Sequence, residues 1–343
     1  MARCMGLFIR NQNACKRHVW IIAICALLAT PPGQAGTCRP LTLLTRLHFQ
    51  RSRTGTRIYV PVVIDGTSRE MLLDTGASFS MVSPAAVKAL DLPSRATDWR
   101  MYDLSGSYGQ YGIRAKTFAV GHLHWRRVDF FEMGSNQNIG GQFTGTKLIG
   151  VLGANMLKDF DVDIDYGSNT LSILSPDHCP GRVIYWKTNA VAIVPMSLND
   201  GGQITVRVRL DGVVLTASVD TGASKSVLDL STAESVFSLT PGSPGTPAAG
   251  YVPGGNGDSF FLHRFHSLTL NGISVSNPQL LLVHNAARRH LDHGPALGSL
   301  FSHQSSRDLS PLLIGGDILQ HFHVYIAYHE HMLYITPAGT PQH

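Results

Sequence analysis

Two aspartates in this chain of 343 residues lie in the same five-residue sequence. Asp-Thr-Gly-Ala-Ser occurs at Asp74–Ser78 and again at Asp220–Ser224. Two carboxyl groups about 3 Å apart cannot both ionise at low cost, so such a pair retains one proton and one pKa rises. One aspartate then acts as base toward a water molecule while the other acts as acid. The predicted chemistry is hydrolysis by a shared pair of carboxyl groups, Asp74 and Asp220.

The residues before each pentapeptide follow a common pattern. Tyr59–Gly66 and Thr205–Gly212 both alternate apolar residues and end in Asp-Gly, at the same distance before the aspartate. Asp-Gly between alternating runs is typical of a tight hairpin turn. Each aspartate is therefore expected to follow a β-hairpin.

A second repeated segment lies further along the chain. Val151–Tyr166 aligns without gaps with Leu313–Tyr328, and strands are predicted after them at Thr170–Leu174 and Met332–Thr336. A repeat that extends over this length indicates a duplicated structural unit. The chain is predicted to contain two homologous lobes.

On these residues the chain resembles an aspartic protease of the retropepsin-like kind, in the clan of pepsin and retroviral proteases, with both lobes in one chain. The resemblance covers roughly residues 55–337 and implies a mostly β, two-lobed acid-protease fold. Each lobe would be a small closed β-barrel with one or two short helices, and the active site would lie between the lobes. It also implies an apolar-apolar-Gly segment beside each active loop: Ile149-Gly150 or Leu152-Gly153 in the first lobe, and Ile314-Gly315 in the second.

The residues beside each aspartate are interpreted as support for the active loops. Gly76 and Gly222 permit a tight turn and close approach of a substrate backbone. By resemblance, the hydroxyls of Thr75 and Thr221 would bond to backbone across the boundary between the lobes.

The position after each of these glycines departs from the pepsin pattern. Pepsin-like lobes usually carry Ser or Thr at this position, whereas this chain has Ala77 and Ala223. Retroviral enzymes also have alanine there. A hydroxyl there would stabilise the ionised carboxylate, so its absence leaves the pair less acidic. We expect a mildly acidic activity optimum.

Two Gly-rich segments are candidates for flaps that cover the substrate. They are Gly106–Gly112 and Gly250–Gly257, at matching positions in the two lobes. Such a hairpin tip excludes water and grips substrate backbone, although an ordinary polar turn is the alternative for either segment. The candidate flap and substrate-binding residues are Tyr108, Gly109, Tyr111, Tyr251, Gly254 and Gly255.

The N-terminal 35 residues read as a secretory signal peptide. A basic stretch precedes the apolar run Val19–Ala29, and the small-x-small triplet Gly33–Ala35 follows. This predicts a secreted or periplasmic protein, or a membrane-anchored one if the signal is not cleaved. The segment holds four of the 28 Lys and Arg, so the remaining chain is nearly neutral.

Other functional classes receive no support from the sequence. No basic array with interleaved aromatics indicates nucleic-acid binding, and no nucleotide-binding Gly pattern occurs. We expect a polypeptide substrate, no nucleic acid, no cofactor, no metal and a monomer. The His-x-His pairs His321/His323 and His329/His331 are read as solvated histidines, with a metal site as the alternative.

Two cysteines remain beyond the signal segment, Cys38 and Cys179. In an oxidising compartment they are candidates for a disulfide between the N-terminal arm and the segment between the lobes. Two separate thiols and lipidation of Cys38 are the alternatives.

The predicted organisation and local elements complete this interpretation. The helix signals are a cap at Ser83 with Pro84 in first position, capping-box spacing in Ser231–Glu234, and turns at Ala154–Lys158 and Gly316–Gln320. The second lobe has an insertion near residues 285–310, which is interpreted as a substrate-selecting rim, an activation loop or a mobile surface loop. The predicted boundaries are a signal peptide at 1–35, an N-terminal arm at 36–54, a first lobe at 55–176, a linker at 177–190, a second lobe at 191–337 with an insertion near 285–310, and a tail at 338–343.

The sequence thus predicts an exported aspartic endopeptidase. A binding protein that retains the protease cleft without catalysis is the alternative. The presence of both aspartates, both threonines and both glycines favours the enzyme.

Overall fold

A computed structural model describes residues 38–102, 108–133, 147–251, 259–284 and 310–339. The predicted signal peptide, both Gly-rich tips and nearly all of the predicted insertion lie outside these ranges. Within the described residues, no helix has the length and apolar character needed to cross a membrane.

The first half of the described chain contains eleven strands and two short helices. These are β1 (Leu43–His48), β2 (Gln50–Arg51), β3 (Ile58–Ile64), β4 (Thr67–Leu73), β5 (Met81–Val82), α1 (Pro84–Ala89), β6 (Ser94–Tyr102), β7 (Tyr108–Val120), β8 (Leu123–Glu132), β9 (Leu148–Leu152), α2 (Ala154–Leu157), β10 (Asp161–Asp165) and β11 (Thr170–Leu174).

The second half contains twelve strands and two helices in a similar order. They are β12 (Ala192–Leu198), β13 (Ile204–Leu210), β14 (Val213–Val219), β15 (Val227–Asp229), α3 (Leu230–Phe237), β16 (Ala248–Tyr251), β17 (Ser259–Arg264), β18 (Ser267–Leu270), β19 (Ile273–Ser276), β20 (Gln279–Val283), β21 (Leu312–Ile314), α4 (Gly316–Leu319), β22 (Phe322–Ala327) and β23 (Met332–Pro337).

The first lobe is a closed barrel, as the resemblance implied. Strands run in the order β3-β4-β9-β5-β8-β7, and β7 pairs with β3 to close the ring. In β3 the residues Ile58, Val60, Val62 and Ile64 are buried, because side chains alternate between the two faces of a strand. Their apolar face fills the barrel.

The second lobe has the same strand order without direct closure. Its ring runs β13-β14-β21-β15-β20-β17, and β18 pairs with β13. The single strand β7 of the first lobe is replaced here by two strands, β17 and β18, separated by Phe265 and His266. The ring passes through this break, with Phe265 buried at the turn. The prediction of a closed barrel therefore holds for the first lobe, whereas the second forms the corresponding sheet.

A six-stranded sheet joins the lobes, in the order β1-β11-β10-β22-β23-β12. Its central pair is β10 with β22, from Asp161 opposite Ala327 to Asp165 opposite His323. Cys38 and Cys179 form a disulfide bond, which confirms the predicted pairing. The bond ties the chain before β1 to the segment that connects the two lobes.

Both predicted hairpins are present. Asp65 and Gly66 have φ values of 46° and 77°, and Asp211 and Gly212 have φ values of 46° and 82°. Two successive positive φ values make the turn twist in the same sense as the strands, and Asp-Gly is a preferred pair for it. Each hairpin delivers its second strand, β4 or β14, directly to an aspartate.

The helices follow the local signals, with one correction. Ser83 caps α1, with Pro84 in first position, and α2 and α4 form at the predicted turns. The predicted start of α3 at Ser231 is wrong, because Asp229 is the N-cap and accepts from the Thr232 N–H at 3.3 Å. The Ser231 hydroxyl donates to that same carboxylate.

Candidate active site

The two aspartates begin equivalent loops. Asp74 follows β4 and its N–H donates to Leu152 O at 3.0 Å; Asp220 follows β14 and its N–H donates to Ile314 O at 3.0 Å. Both bonds continue parallel strand pairings, β4 with β9 and β14 with β21. Segments distant in sequence are thereby brought against each aspartate.

The structure selects Leu152-Gly153 as the apolar-apolar-Gly segment of the first lobe. A Cβ on Gly153 would lie 2.9 Å from Ala77 O, and one on Gly315 would lie 3.0 Å from Ala223 O. Only glycine permits this close approach to the backbone of the active loops. Gly150, the alternative, packs against the backbone of Met81 in β5 instead.

The threonines connect the two loops reciprocally. Thr75 Oγ1 donates to Val219 O at 2.8 Å, and Thr221 Oγ1 donates to Leu73 O at 2.8 Å. Each hydroxyl also accepts the backbone N–H of the other threonine at 3.1 Å. All four bonds are buried, so the loops are held in a fixed mutual register.

This register places the two carboxyl groups face to face. Asp74 Oδ1 accepts from the N–H groups of Gly76 and Ala77 at 3.0 and 2.9 Å, and Asp220 Oδ1 accepts from Gly222 and Ala223 at 2.8 and 3.0 Å. The two carboxyl groups are close enough for each to shift the pKa of the other.

The glycines of the loops are required by the opposite carboxyl group. A Cβ on Gly76 would lie 2.8 Å from Asp220 Oδ1, and a Cβ on Gly222 would lie 2.7 Å from Asp74 Oδ1. Real Cβ atoms do not approach this closely, so each glycine makes room for the aspartate of the other lobe.

Burial sets the charge state of the pair. Burial and the neighbouring Asp220 raise the pKa of Asp74 well above its ordinary value, against the opposing effect of the Gly76 and Ala77 N–H groups. Burial also raises the pKa of Asp220, although backbone N–H donors, Asp74 and the charge of Arg57 oppose it. Such a pair retains a proton well above the pH at which a solvated aspartate loses it.

Sequence reasoning missed a serine in each lobe that hydrogen-bonds the active loop to the apolar-apolar-Gly segment. Ser80 Oγ donates to Asn155 Oδ1 at 2.9 Å and accepts the Gly153 N–H at 2.9 Å. Ser226 Oγ donates to Asp317 Oδ1 at 2.7 Å and accepts the Gly315 N–H at 2.9 Å. The signal was available, because the serines follow the repeated pentapeptides at equal distances.

Sequence reasoning also missed a pair of side chains that cross between the lobes. Arg57 Nε donates to Gly222 O at 2.9 Å, and Gln203 Nε2 donates to Gly76 O. Arg57 and Gln203 occupy equivalent positions before β3 and β13. The repeat relates them, but their different chemistry conceals the correspondence.

The predicted flaps coincide with two hairpins, β6 with β7 and β16 with β17. Gly109 pairs with Met101, and Tyr111 pairs with Ala96 with its side chain 42% exposed. The tips at 103–107 and 252–258, including Gly254 and Gly255, and the side chains of Tyr108 and Tyr251 lie outside the described residues. A substrate-binding role for these residues stays a prediction.

The expectation of solvated histidines is wrong for His323. That ring is buried, is hydrogen-bonded to Asp163, and stacks on Trp186 with centroids 3.8 Å apart. Packing in the sheet between the lobes overrides the polar pattern, whereas His321, His329 and His331 are exposed. In the part of the chain that the structure describes, no three His, Cys, Asp or Glu are arranged to hold a metal ion.

Comparison with known proteins agrees with this geometry. The sequence model of the aspartyl protease family matches residues 60–156 and 206–317, once in each lobe and over more than half of the chain. No curated protein matches the chain significantly. Each matched segment contains one Asp-Thr-Gly loop and its Gly153 or Gly315 partner. The chain belongs to the aspartyl protease family.

Proposed function

We propose that the protein is an exported aspartic endopeptidase in which Asp74 and Asp220 are the catalytic pair. The observation that carries this proposal is the placement of each carboxyl group against the glycine of the opposite loop, held by reciprocal threonine bonds. The pKa values of both carboxyl groups are raised there. This is the arrangement that general acid and base catalysis on a peptide bond requires.

The pair acts on a water molecule and a peptide carbonyl. The ionised carboxylate takes a proton from the water, whose oxygen attacks the carbonyl carbon, while the protonated carboxyl group donates its proton to the carbonyl oxygen. As the C–N bond breaks, the carboxyl group that took the water proton donates it to the leaving nitrogen, and the other carboxylate takes a proton from a hydroxyl of the tetrahedral intermediate. The two carboxyl groups end with one proton between them, as they began.

The surroundings of the pair support an extended polypeptide as substrate. The hairpins β6/β7 and β16/β17 occur at equivalent positions in the two lobes, where covers over a substrate are expected. We propose apolar residues on both sides of the cleaved bond, as the family resemblance implies. Since one chain supplies both aspartates, with lobes at residues 55–176 and 191–337, we propose a monomer.

Export is supported by the disulfide and by the predicted signal at residues 1–35. A bond between Cys38 and Cys179 forms and persists in an oxidising compartment. We therefore propose a secreted or periplasmic location.

The test is cleavage of an unfolded protein by the full chain, produced under oxidising conditions, between pH 3 and pH 7. Asp74→Asn and Asp220→Asn should each lower turnover at least about a thousandfold, because a neutral amide cannot exchange the proton. Asp91→Asn is the matched control: Asp91 is exposed and has φ of 49°, which asparagine tolerates.

A folded protein that binds peptides and shows no turnover at any pH would contradict the proposal and support the inert binding protein. Equal turnover in the wild type and either active-loop variant would contradict the assignment of the catalytic pair.

A further inference from the structure

The carboxyl pair is flanked by different side chains on its two sides. Arg57 donates to the carbonyl of Gly222, beside Asp220. Gln203 donates to the carbonyl of Gly76, beside Asp74. The backbone geometry is duplicated, but among the described residues a positively charged side chain donates to only one of these two carbonyls.

A single peptide group transmits the charge of Arg57 to Asp220. The carbonyl of Gly222 accepts from Arg57 at 2.9 Å, and the N–H of the same peptide group, on Ala223, donates to Asp220 Oδ1 at 3.0 Å. Hydrogen bonds in a chain polarise one another, so a cationic donor strengthens the next bond. This favours negative charge on Asp220.

The equivalent chain on the other side begins with a neutral amide. Gln203 donates to Gly76 O, and the N–H of Ala77 donates to Asp74 Oδ1 at 2.9 Å. Without a cation at its start, this chain stabilises a carboxylate less. Asp74 is the side on which a shared proton is better placed.

We propose that Arg57 polarises the pair, so that Asp220 carries the negative charge and Asp74 carries the proton. The inference rests on the proposed function and deepens it: Asp220 would be the base toward water, and Asp74 the acid toward the peptide carbonyl. Arg57 is a positioning residue that acts through the Gly222–Ala223 peptide group.

The electrostatic influences on the pair agree with this polarity. The charge of Arg57 lowers the pKa of Asp220 against the effect of burial, whereas burial and Asp220 both raise the pKa of Asp74.

The test uses a small epoxide that esterifies whichever carboxyl group is ionised. The carboxylate oxygen opens the epoxide ring, an ester bond forms, and the resulting alkoxide takes the proton of the neighbouring carboxyl group. Full-length protein would be labelled at the pH of maximal turnover, and the ester located by peptide mass spectrometry. We expect Asp220 to be labelled about tenfold more than Asp74, which corresponds to about one pKa unit.

Matched variants separate charge from hydrogen bonding. Arg57→Gln reproduces the residue at the equivalent position and should bring the labelling ratio toward equality. Arg57→Lys retains the charge and should retain the preference, and the exchange Arg57→Gln with Gln203→Arg should move it toward Asp74. In Arg57→Gln the acidic limb of the kcat/KM profile should also move to higher pH, because removing the cation raises the pKa of Asp220.

Two results would overturn the inference. The first is preferential labelling of Asp74 in the wild type; the second is the same ratio in the wild type, Arg57→Gln and the exchange variant. Turnover measured on the same samples distinguishes the proposed role of Arg57 from the proposed protease function. Turnover and labelling with an unchanged ratio would reject only the role of Arg57, whereas neither turnover nor labelling in folded wild type would reject the proposed function as well.

Discussion

Two pairs of aspartates in this protein lie largely out of contact with solvent, and their hydrogen-bond partners differ. Asp74 and Asp220 face each other in the loops between the lobes, whereas Asp161 and Asp163 lie on β10 of the joining sheet, each 3% exposed or less. The comparison shows that buried carboxyl groups in one protein can have different partners, and these partners determine which protonation state is stabilised.

Each aspartate of β10 has its own histidine and tyrosine. His178 Nε2 lies 2.5 Å from Asp161 Oδ2, and Tyr325 donates to the same oxygen at 2.9 Å. Asp163 is hydrogen-bonded to His323 and Tyr185. Burial raises the pKa of Asp161, and its bonds to His178 and Tyr325 oppose that effect. These contacts join the strands of the sheet, so the two aspartates contribute to structure.

The active-loop aspartates have backbone N–H donors and each other. Burial raises both pKa values, and no histidine is among the groups that shift them most. The two pairs therefore differ in their partners: a histidine and a tyrosine at each aspartate of β10, and the opposite carboxyl group in the active loops.

The largest expected effect comes from separating the two active-loop carboxyl groups that we propose as the catalytic pair. Gly76→Ala would place a Cβ 2.8 Å from Asp220 Oδ1, so the loops must separate or Asp220 must rotate. We expect kcat/KM for a peptide substrate to fall at least about a hundredfold, because displacements of about 1 Å have effects of that size. Gly339→Ala is the control, since its Cβ meets no atom within 4 Å; equal activity of the two variants would refute the contact.

An intermediate effect is expected when one aspartate of either pair is replaced by asparagine. Asp163→Asn leaves His323 and Tyr185 without their carboxylate, which should lower the free energy of unfolding by about 3 kcal/mol in urea denaturation. Turnover per folded molecule should persist.

Asp74→Asn should act on stability in the opposite direction at pH 7. The pKa of Asp74 is raised in the folded state, so the unfolded chain releases the proton first, and folding loses stability as pH rises above about 4. Asparagine cannot ionise and escapes this loss. A decrease in the free energy of unfolding for Asp74→Asn at pH 7 would contradict the raised pKa.

A smaller effect is expected from the pH dependence of the structural pair. Burial opposes the charge of His178, but its bonds to Asp161 and Cys179 O, with the charges of Asp161 and Glu330, raise its pKa. The stabilisation is complete below the unfolded pKa of about 6.5 and is lost as pH rises through the higher folded value.

His178→Gln isolates this contribution. Thermal unfolding of the wild type should lose stability above neutral pH, and the variant should be less stable but show a flatter dependence in that range. The active-loop pair produces its loss from about pH 4 upward, so the two windows begin at different pH values. Parallel pH profiles for the wild type and the variant would remove His178 from this role.

Local signals predicted much of the fold. Asp65-Gly66 and Asp211-Gly212 form their turns because few residue pairs accept two positive φ values. Ser83 caps a helix at the expected position because its hydroxyl satisfies a nearby backbone N–H. The predicted start of α3 at Ser231 was wrong because Asp229 caps the helix two residues earlier, and the Ser231 hydroxyl donates to the Asp229 carboxylate.

Long-range packing escaped sequence reasoning. His323 was expected in solvent, yet it packs on Trp186 and bonds to Asp163 from a distant strand. The choice of Leu152-Gly153 over Ile149-Gly150 depends on which glycine meets the Ala77 carbonyl. Neither contact has a signature within a short stretch of sequence.

The amino-acid sequence by itself determined the duplication, the two Asp-Thr-Gly-Ala-Ser loops and the identity of the carboxyl pair, because these depend on residue type and spacing. Only the tertiary structure decided which groups surround each carboxyl. Arg57 reaches Gly222 and Gln203 reaches Gly76 only after the lobes have met. Proton affinity depends on charges and donors within a few ångströms, and folding alone brings such distant residues together.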